Sequence, residues 1–188
     1  MSIYTAKVIV RMSNHIFLTG FMGCGKSYWA RLLASAFKRP FIDLDEQIAS
    51  WQQKSISEIF AGAGEPDFRL IERDCLRELK QVPAAIVATG GGTPCFFDNM
   101  DWMKKHGKVI YLKTPVPVLL QRLKAQDISR PLVAGLQDIE LRDFIEKLLA
   151  EREPFYLQAD VVAEYDPETE GAFLKQCVEE CINGTSVE

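Results

Sequence analysis

The chain has 188 residues, 47% of them hydrophobic and 26% charged, which is enough length and apolar content for one domain with a sizeable core and excludes a disordered or low-complexity protein. A net charge of −4 supplies no global footprint for nucleic acid or an anionic membrane, so any bound anion must be held by local groups. No apolar stretch approaches the ~20 residues that a helix needs to span a bilayer, and five cysteines, odd in number, fit a reducing, cytoplasmic protein better than a disulfide framework.

Residues 1–13, "MSIYTAKVIVRMS", lack the cleavage pattern of a signal peptide. They read as a disordered N-terminal extension ahead of a single domain over 14–188. The apolar run Ile16, Phe17 and Leu18 predicts a first strand that enters "TGFMGCGKS", Thr19 to Ser27. Glycine is costly to order, so the cluster Gly20, Gly23 and Gly25 needs a backbone that approaches something closely or turns left-handed. From Gly20 the spacing is G-x-x-x-x-G-K-S. In that pattern backbone N–H groups wrap a phosphate chain, Lys26 reaches the outer phosphates and Ser27 ligates Mg²⁺. Trp29, Leu32, Leu33 and Phe37 share a helical face, predicting a helix over 27–37 and placing the motif between strand and helix.

"RPFIDLD" predicts a second short strand. Asp43 and Asp45 alternate along it and so leave the same face. One of them caps the next helix, or the pair holds Mg²⁺ through its water shell and accepts a hydroxyl proton. A helix over 46–53 follows, and Ser55 with Glu58 has capping-box spacing. Phe68, Ile71, Cys75, Leu76 and Leu79 repeat at helical period, predicting a helix that carries Arg69 and Glu72 one turn apart, either as a surface ion pair or as part of an anion site.

"AAIVATGGG" predicts a third strand running into Gly90, Gly91 and Gly92, a flexible turn or a surface against which a ligand lies close. No carboxylate follows it where phosphate-loop ATPases often hold magnesium, which counts against hydrolases and motors. A helix over 96–105, a fourth strand "KVIYLKT" and a helix over 116–125 come next. "AQDISRPLVAGLQD" is the one long, weakly periodic connection, with Arg130 ahead of a proline. A helix over 138–152 ends at Arg152, where a cation suits the macrodipole whether or not it serves a site. "ADVVAEYD" predicts the fifth strand, and the last helix opens at Asp166 and Pro167 and stops near Gly184. Cys177 and Cys181 read as helix packing, His15 and His106 as structural, and Trp29, Trp51 and Trp102 as core or half-buried packing. Strands alternating with helices imply a parallel sheet covered on both faces. Ligands collect at the carboxyl ends of such strands, so Gly20 to Ser27, Asp43 to Asp45 and Gly90 to Gly92 are expected to meet in one crevice.

Taken together, these stretches resemble the shikimate kinase family from His15 to about Gly184. "GFMGCGKS" is similar to its phosphate loop, "FIDLDEQI" to its double-aspartate segment and "IFAGAGEPDFRLIE" to its shikimate-binding helix. "ATGGGT" is similar to its glycine triplet, "RPLVAG" to its lid and "EREPFY" to its late arginine segment. The resemblance implies a three-layer α/β/α P-loop NTPase fold with strand order 2-3-1-4-5, a lid at about 126–135 and a substrate-binding region at about 43–80. It implies phosphorylation of the shikimate 3-hydroxyl by ATP, with Mg²⁺, in the chorismate and aromatic amino acid pathway. Gly23, Cys24, Gly25, Lys26, Ser27 and Tyr28 would hold the nucleotide, with Arg122 against adenine and Arg130 reaching in from the lid. Ser27 would ligate Mg²⁺ and Asp43 hold it through water, while Asp45, Lys26 and Arg130 would be catalytic. Arg69 and Arg152 would clamp the shikimate carboxylate, Glu72 would orient Arg69, and Gly91 and Gly92 would lend backbone contacts. The implied partners are small molecules alone, with no nucleic acid or membrane, in a monomer. Gluconate and nucleoside monophosphate kinases share the fold, but the paired arginines and the glycine triplet argue against them. Intact Lys26, Ser27, Asp43 and Asp45 argue against a non-catalytic nucleotide switch.

Overall fold

Residues 14–125 and 138–183 are described in a computed structural model of the chain; the extension at 1–13 and the lid at about 126–135 with Arg130 lie outside them. Among the described residues, β1 (His15–Thr19), β2 (Phe41–Asp43), β3 (Ile86–Ala88), β4 (Gly107–Lys113) and β5 (Val161–Glu164) form one sheet. Its order is β2-β3-β1-β4-β5 and every neighbouring pair is parallel, as expected. The helices are α1 (Lys26–Ala36), α2 (Leu44–Gln52), α3 (Ile56–Glu78) and α4 (Asn99–His106), then α5 (Val116–Ala125), α6 (Asp138–Tyr156) and α7 (Glu170–Asn183).

Successive side chains of a strand point to opposite faces, and the uninterrupted apolar run of β1 therefore serves both layers. Ile16 and Leu18 pack with Leu33 of α1, Leu119 of α5, Ile145 of α6 and Leu174 of α7. Phe17, between them, packs on the other side with Ile48 of α2, Leu76 of α3 and Met103 of α4. Each large apolar side chain buried this way contributes about 1.5–3 kcal/mol relative to exposure. Leu18 lies opposite Ala88 and Ile110, and Asp43 lies opposite Ala88. The carboxyl ends of β1, β2 and β3 are therefore level, and the three loops that follow them start side by side.

Several boundaries differ from the sequence pattern. β2 stops at Asp43 and α2 begins at Leu44, so Asp43 and Asp45 do not share a strand face. The Asp43 carboxylate accepts from the backbone N–H groups of Asp45 and Glu46, and this cap wins over continued extension. The capping box at Ser55 and Glu58 opens α3, which breaks at Gly64 (φ 79°) and resumes with Pro66 in its first new turn, where the missing N–H is harmless. α6 continues through Pro154 to Tyr156 rather than ending at Arg152, although Pro154 has no N–H to donate to the carbonyl four residues earlier. At Asp166 the side chain accepts from Glu168 N and Thr169 Oγ1, forming a closed turn, and α7 itself starts only at Glu170. Trp51, expected as core or half-buried packing, is 47% exposed although it shares a helical face with the buried Leu44 and Ile48; it sits in the last turn of α2.

His15 is fully buried and takes both backbone partners offered to it. Nδ1 accepts from Ala85 N at 3.1 Å, which leaves the proton on Nε2 to donate to Leu79 O at 3.0 Å. Burial holds its pKa below 6.5. The unfolded chain therefore takes up this proton first as pH falls, so the stability His15 contributes is complete above about pH 6.5 and is lost below it. Urea midpoints should fall between about pH 7.5 and 5.5, and His15→Gln should flatten that dependence. An equal slope in the variant would exclude His15 as its source.

Candidate active site

The loop from β1 to α1 closes on Gly25, which caps α1 in a left-handed conformation (φ 104°) without any side-chain hydrogen bond. The first N–H groups of α1 thus point outward unsatisfied by a cap, a ready-made seat for an anion. Lys26 Nζ donates to the carbonyls of Gly20 (2.9 Å) and Phe21 (3.0 Å), which holds the ammonium across the loop. Ser27 Oγ donates to Asp43 Oδ2 at 2.5 Å. A hydroxyl and a carboxylate side by side at the mouth of a phosphate loop are hard oxygen donors of the kind Mg²⁺ takes. Among the described residues no three His, Cys, Asp or Glu side chains gather as a metal cluster, so an ion here would complete its shell with phosphate and water, the usual habit of Mg²⁺.

Arg122 of α5 closes the same end, donating to the carbonyls of Cys24 (3.0 Å) and Gly23 (3.3 Å) and lying over the Tyr165 ring at 5.0 Å. Tyr28 is exposed and meets Trp29 edge to face. The Cys24 thiol is buried with the core residues around β1.

The opposite end is built around the glycine triplet. Arg69, Glu72 and Arg152, each open to a surface reading from sequence, are only 5%, 0% and 8% exposed. Arg69 Nη1 donates to Glu72 Oε2 at 2.8 Å, and the other oxygen of Glu72 accepts from Thr93 Oγ1 at 2.6 Å. The guanidinium lies over the Phe96 ring at 4.2 Å. Burial works against its charge, but the Glu72 and Glu65 carboxylates more than offset this and hold its pKa above the ordinary arginine value. A Cβ at Gly92 would lie 2.6 Å from Arg69 Nη1, and one at Gly91 would lie 3.5 Å from Arg152 Nη1. Two guanidinium groups are thereby set against residues whose Cα atoms are about 3.8 Å apart. Both pull down the pKa of Cys95, which burial pushes up to about 11. The Gly91 carbonyl is fixed by Tyr156 Oη at 2.5 Å. Asp45 stands between the two ends, since a Cβ at Gly90 would meet its Oδ1 at 3.0 Å. The triplet is thus needed for close approach, but the approaching groups are the protein's own Glu72, Asp45 and Arg69.

One cavity of about 920 Å³ joins the two ends, lined by Lys26, Ser27, Asp43 and Arg122 toward the loop and by Asp45, Arg69 and Arg152 toward the triplet. It also contains residues that sequence reasoning missed. Glu170, 6% exposed, bonds Trp29, and burial raises its pKa despite the nearby Arg122. In sequence it is one more acid in the first turn of a helix, and nothing there distinguishes it. Phe60 and Phe68 line the triplet end, 4.4 Å apart; the helical period marks them as apolar but not as facing a cavity.

A family model for shikimate kinase matches residues 22–183. The shikimate kinase of Bacteroides thetaiotaomicron is 42% identical over 151 residues, which covers 80% of this chain and 86% of that protein. The crystal structure of shikimate kinase from the same organism superposes with a TM-score of 0.83 at 38% identity, covering 88% of this chain and 98% of that one. Shikimate kinase from Acinetobacter baumannii in complex with shikimate superposes with a TM-score of 0.81 at 33% identity, covering 93% and 96%.

Gly92→Ala should lower stability by about 1–3 kcal/mol, the usual scale of overpacking, because the new methyl displaces a guanidinium that Glu72 pins from the other side. Gly62→Ala, where a Cβ meets nothing within 4 Å, serves as the control and should be neutral or stabilising in a helix. Equal urea midpoints for wild type and Gly92→Ala would show that Arg69 yields freely.

Proposed function

The chain belongs to the shikimate kinase family, and from that premise we propose how its cavity performs the transfer of a phosphoryl group from ATP to shikimate. The products are ADP and shikimate 3-phosphate, in aromatic amino acid biosynthesis. Phosphoryl transfer asks a protein chiefly to position two reactants in line and to neutralise charge on the moving group.

Residues Gly23 to Tyr28 and the N-terminus of α1 take the nucleotide phosphates, Arg122 flanks adenine, and Lys26 lies at the transferring phosphate. Arg130, carried over by the resemblance, adds a second positive charge there. Mg²⁺ would be held by Ser27 directly and by Asp43 through water; when bound, it offsets the charge of the outer phosphates. Arg69 and Arg152 clamp the carboxylate of shikimate, with Glu72 fixing the first guanidinium and the Gly91 and Gly92 backbone completing the seat. This anchors the acceptor so that its 3-hydroxyl faces Asp45. The hydroxyl oxygen attacks the terminal phosphorus, the bond to the bridging oxygen of ADP breaks, and the proton passes to Asp45. The observation that carries this reading is the pair of buried guanidiniums against Gly91 and Gly92, in the same cavity as the phosphate loop. Arginine, with its planar fork, suits a carboxylate better than lysine does. Among the described residues no helix is long and apolar enough to cross a membrane; we take the enzyme to act as a cytoplasmic monomer on small molecules only.

The test is ADP release with shikimate, gluconate or a nucleoside monophosphate as sole acceptor. Shikimate alone should support turnover, and preference for either of the others would overturn the assignment. Asp45→Asn should lower turnover by about 10² or more, the usual scale for losing a general base, with ATP binding nearly intact by titration calorimetry. Near-normal turnover would remove Asp45 from that role.

A further inference from the structure

Arg69 is shared by two carboxylates of different character. Glu72 takes Nη1, and its side chain is 1% exposed and also held by Thr93. Glu65 takes the opposite edge, where its Oε1 accepts from Nη2 at 2.8 Å and from Nε at 3.1 Å, yet its side chain is 51% exposed. Among the described residues Arg69 is the polar partner Glu65 has. It also follows Gly64, where left-handed backbone (φ 79°, ψ 174°) interrupts α3 and leaves Glu65 at the start of the renewed helix. One contact is therefore built into the core, and the other is a surface arm laid over it.

We propose that Glu65 is a placeholder for the acceptor's carboxylate, a positioning residue that keeps the Nε and Nη2 edge of Arg69 paired until the substrate displaces it. The proposal rests on the reading of Arg69 as a carboxylate clamp. The Nε and Nη2 donors form the fork that matches the two oxygens of a carboxylate, and Glu65 fills it with one oxygen only. An ion pair with a half-exposed member is weak, so the exchange is easy, whereas a buried guanidinium left without a partner on that side would be costly. Competition of this kind reduces apparent acceptor affinity by the fraction of enzyme in which the fork is free. It also discriminates against ligands with no carboxylate, which cannot displace Glu65.

Glu65→Gln and Glu65→Ala should each lower KM for shikimate by about two- to fivefold, the range an exposed ion pair commands, with kcat moving less than KM. The methyl ester of shikimate, which has no carboxylate to place on the fork, should gain nothing from either substitution. An unchanged or raised KM for shikimate in both variants overturns the placeholder and makes Glu65 a support for Arg69. An equal gain for the ester overturns it as well, since the effect would then not pass through the carboxylate. Arg69→Lys, measured alongside, separates the two readings. A raised KM for shikimate upholds the clamp whatever Glu65 does, and an unchanged KM removes the clamp and the placeholder together.

Discussion

Parallel pairing on both sides of β1 is the constraint from which the site follows. Parallel strands cannot be joined by tight turns, so every connection crosses over through a helix and every strand ends on the same side of the molecule. With Leu18 opposite Ala88 and Ile110, and Asp43 opposite Ala88, the phosphate loop, the paired aspartates and the glycine triplet emerge at one level. A slip of one residue in β3 would exchange Val87, which packs on the α2, α3 and α4 side, with Ile86 and Ala88, which pack on the other. The hydrophobic effect that fills the two layers is thus also what places Gly90 to Gly92 beside the loop.

On this scaffold, charge is distributed against the grain of the whole chain. The protein is acidic overall, yet Lys26, Arg69, Arg122 and Arg152 converge on one cavity. Three of these cations have a local partner: loop carbonyls hold Lys26 and Arg122, and Glu72 holds Arg69. Such partners keep the donors preorganised, so less reorganisation is left for the moment of reaction. Burying the Arg69 and Glu72 pair is expensive in desolvation, and its cost is offset only because the remaining valences are filled, by Thr93 on one carboxylate oxygen and by the Phe96 face beneath the guanidinium. Phe60 and Phe68 give this end of the cavity an apolar wall.

The same residues show where sequence reading succeeds. Glycine spacing before Lys26 and Ser27 is a statement about backbone geometry within nine residues, and the left-handed angles at Gly20, Gly23 and Gly25 bear it out. The capping box at Ser55 and Glu58 forms as read, because both partners lie within one turn. Asp43 and Asp45 were harder. Alternation along a strand and capping of a helix use the same two residues, and the choice depended on backbone donors that appear only once α2 has formed.

The sequence by itself determines the order of strands and helices, the phosphate loop, the capping box at Ser55 and Glu58, and through the assembled motifs the family to which the chain belongs, since each of these depends on neighbours a few residues apart. Tertiary structure alone decides which charges are buried. An arginine one turn from a glutamate reads the same on a surface as in a core, and only the packing of α3 against Gly92 buries Arg69 in the wall of the cavity. Arg152 owes its burial likewise to the seating of α6 against the triplet, and Glu170 to the meeting of α7 with Trp29. Trp51 shares a helical face with the buried Leu44 and Ile48, yet in the last turn of α2 it stays 47% exposed. Burial and partnership are properties of segments brought together from distant parts of the chain, and no local pattern encodes which face of a helix another element will cover.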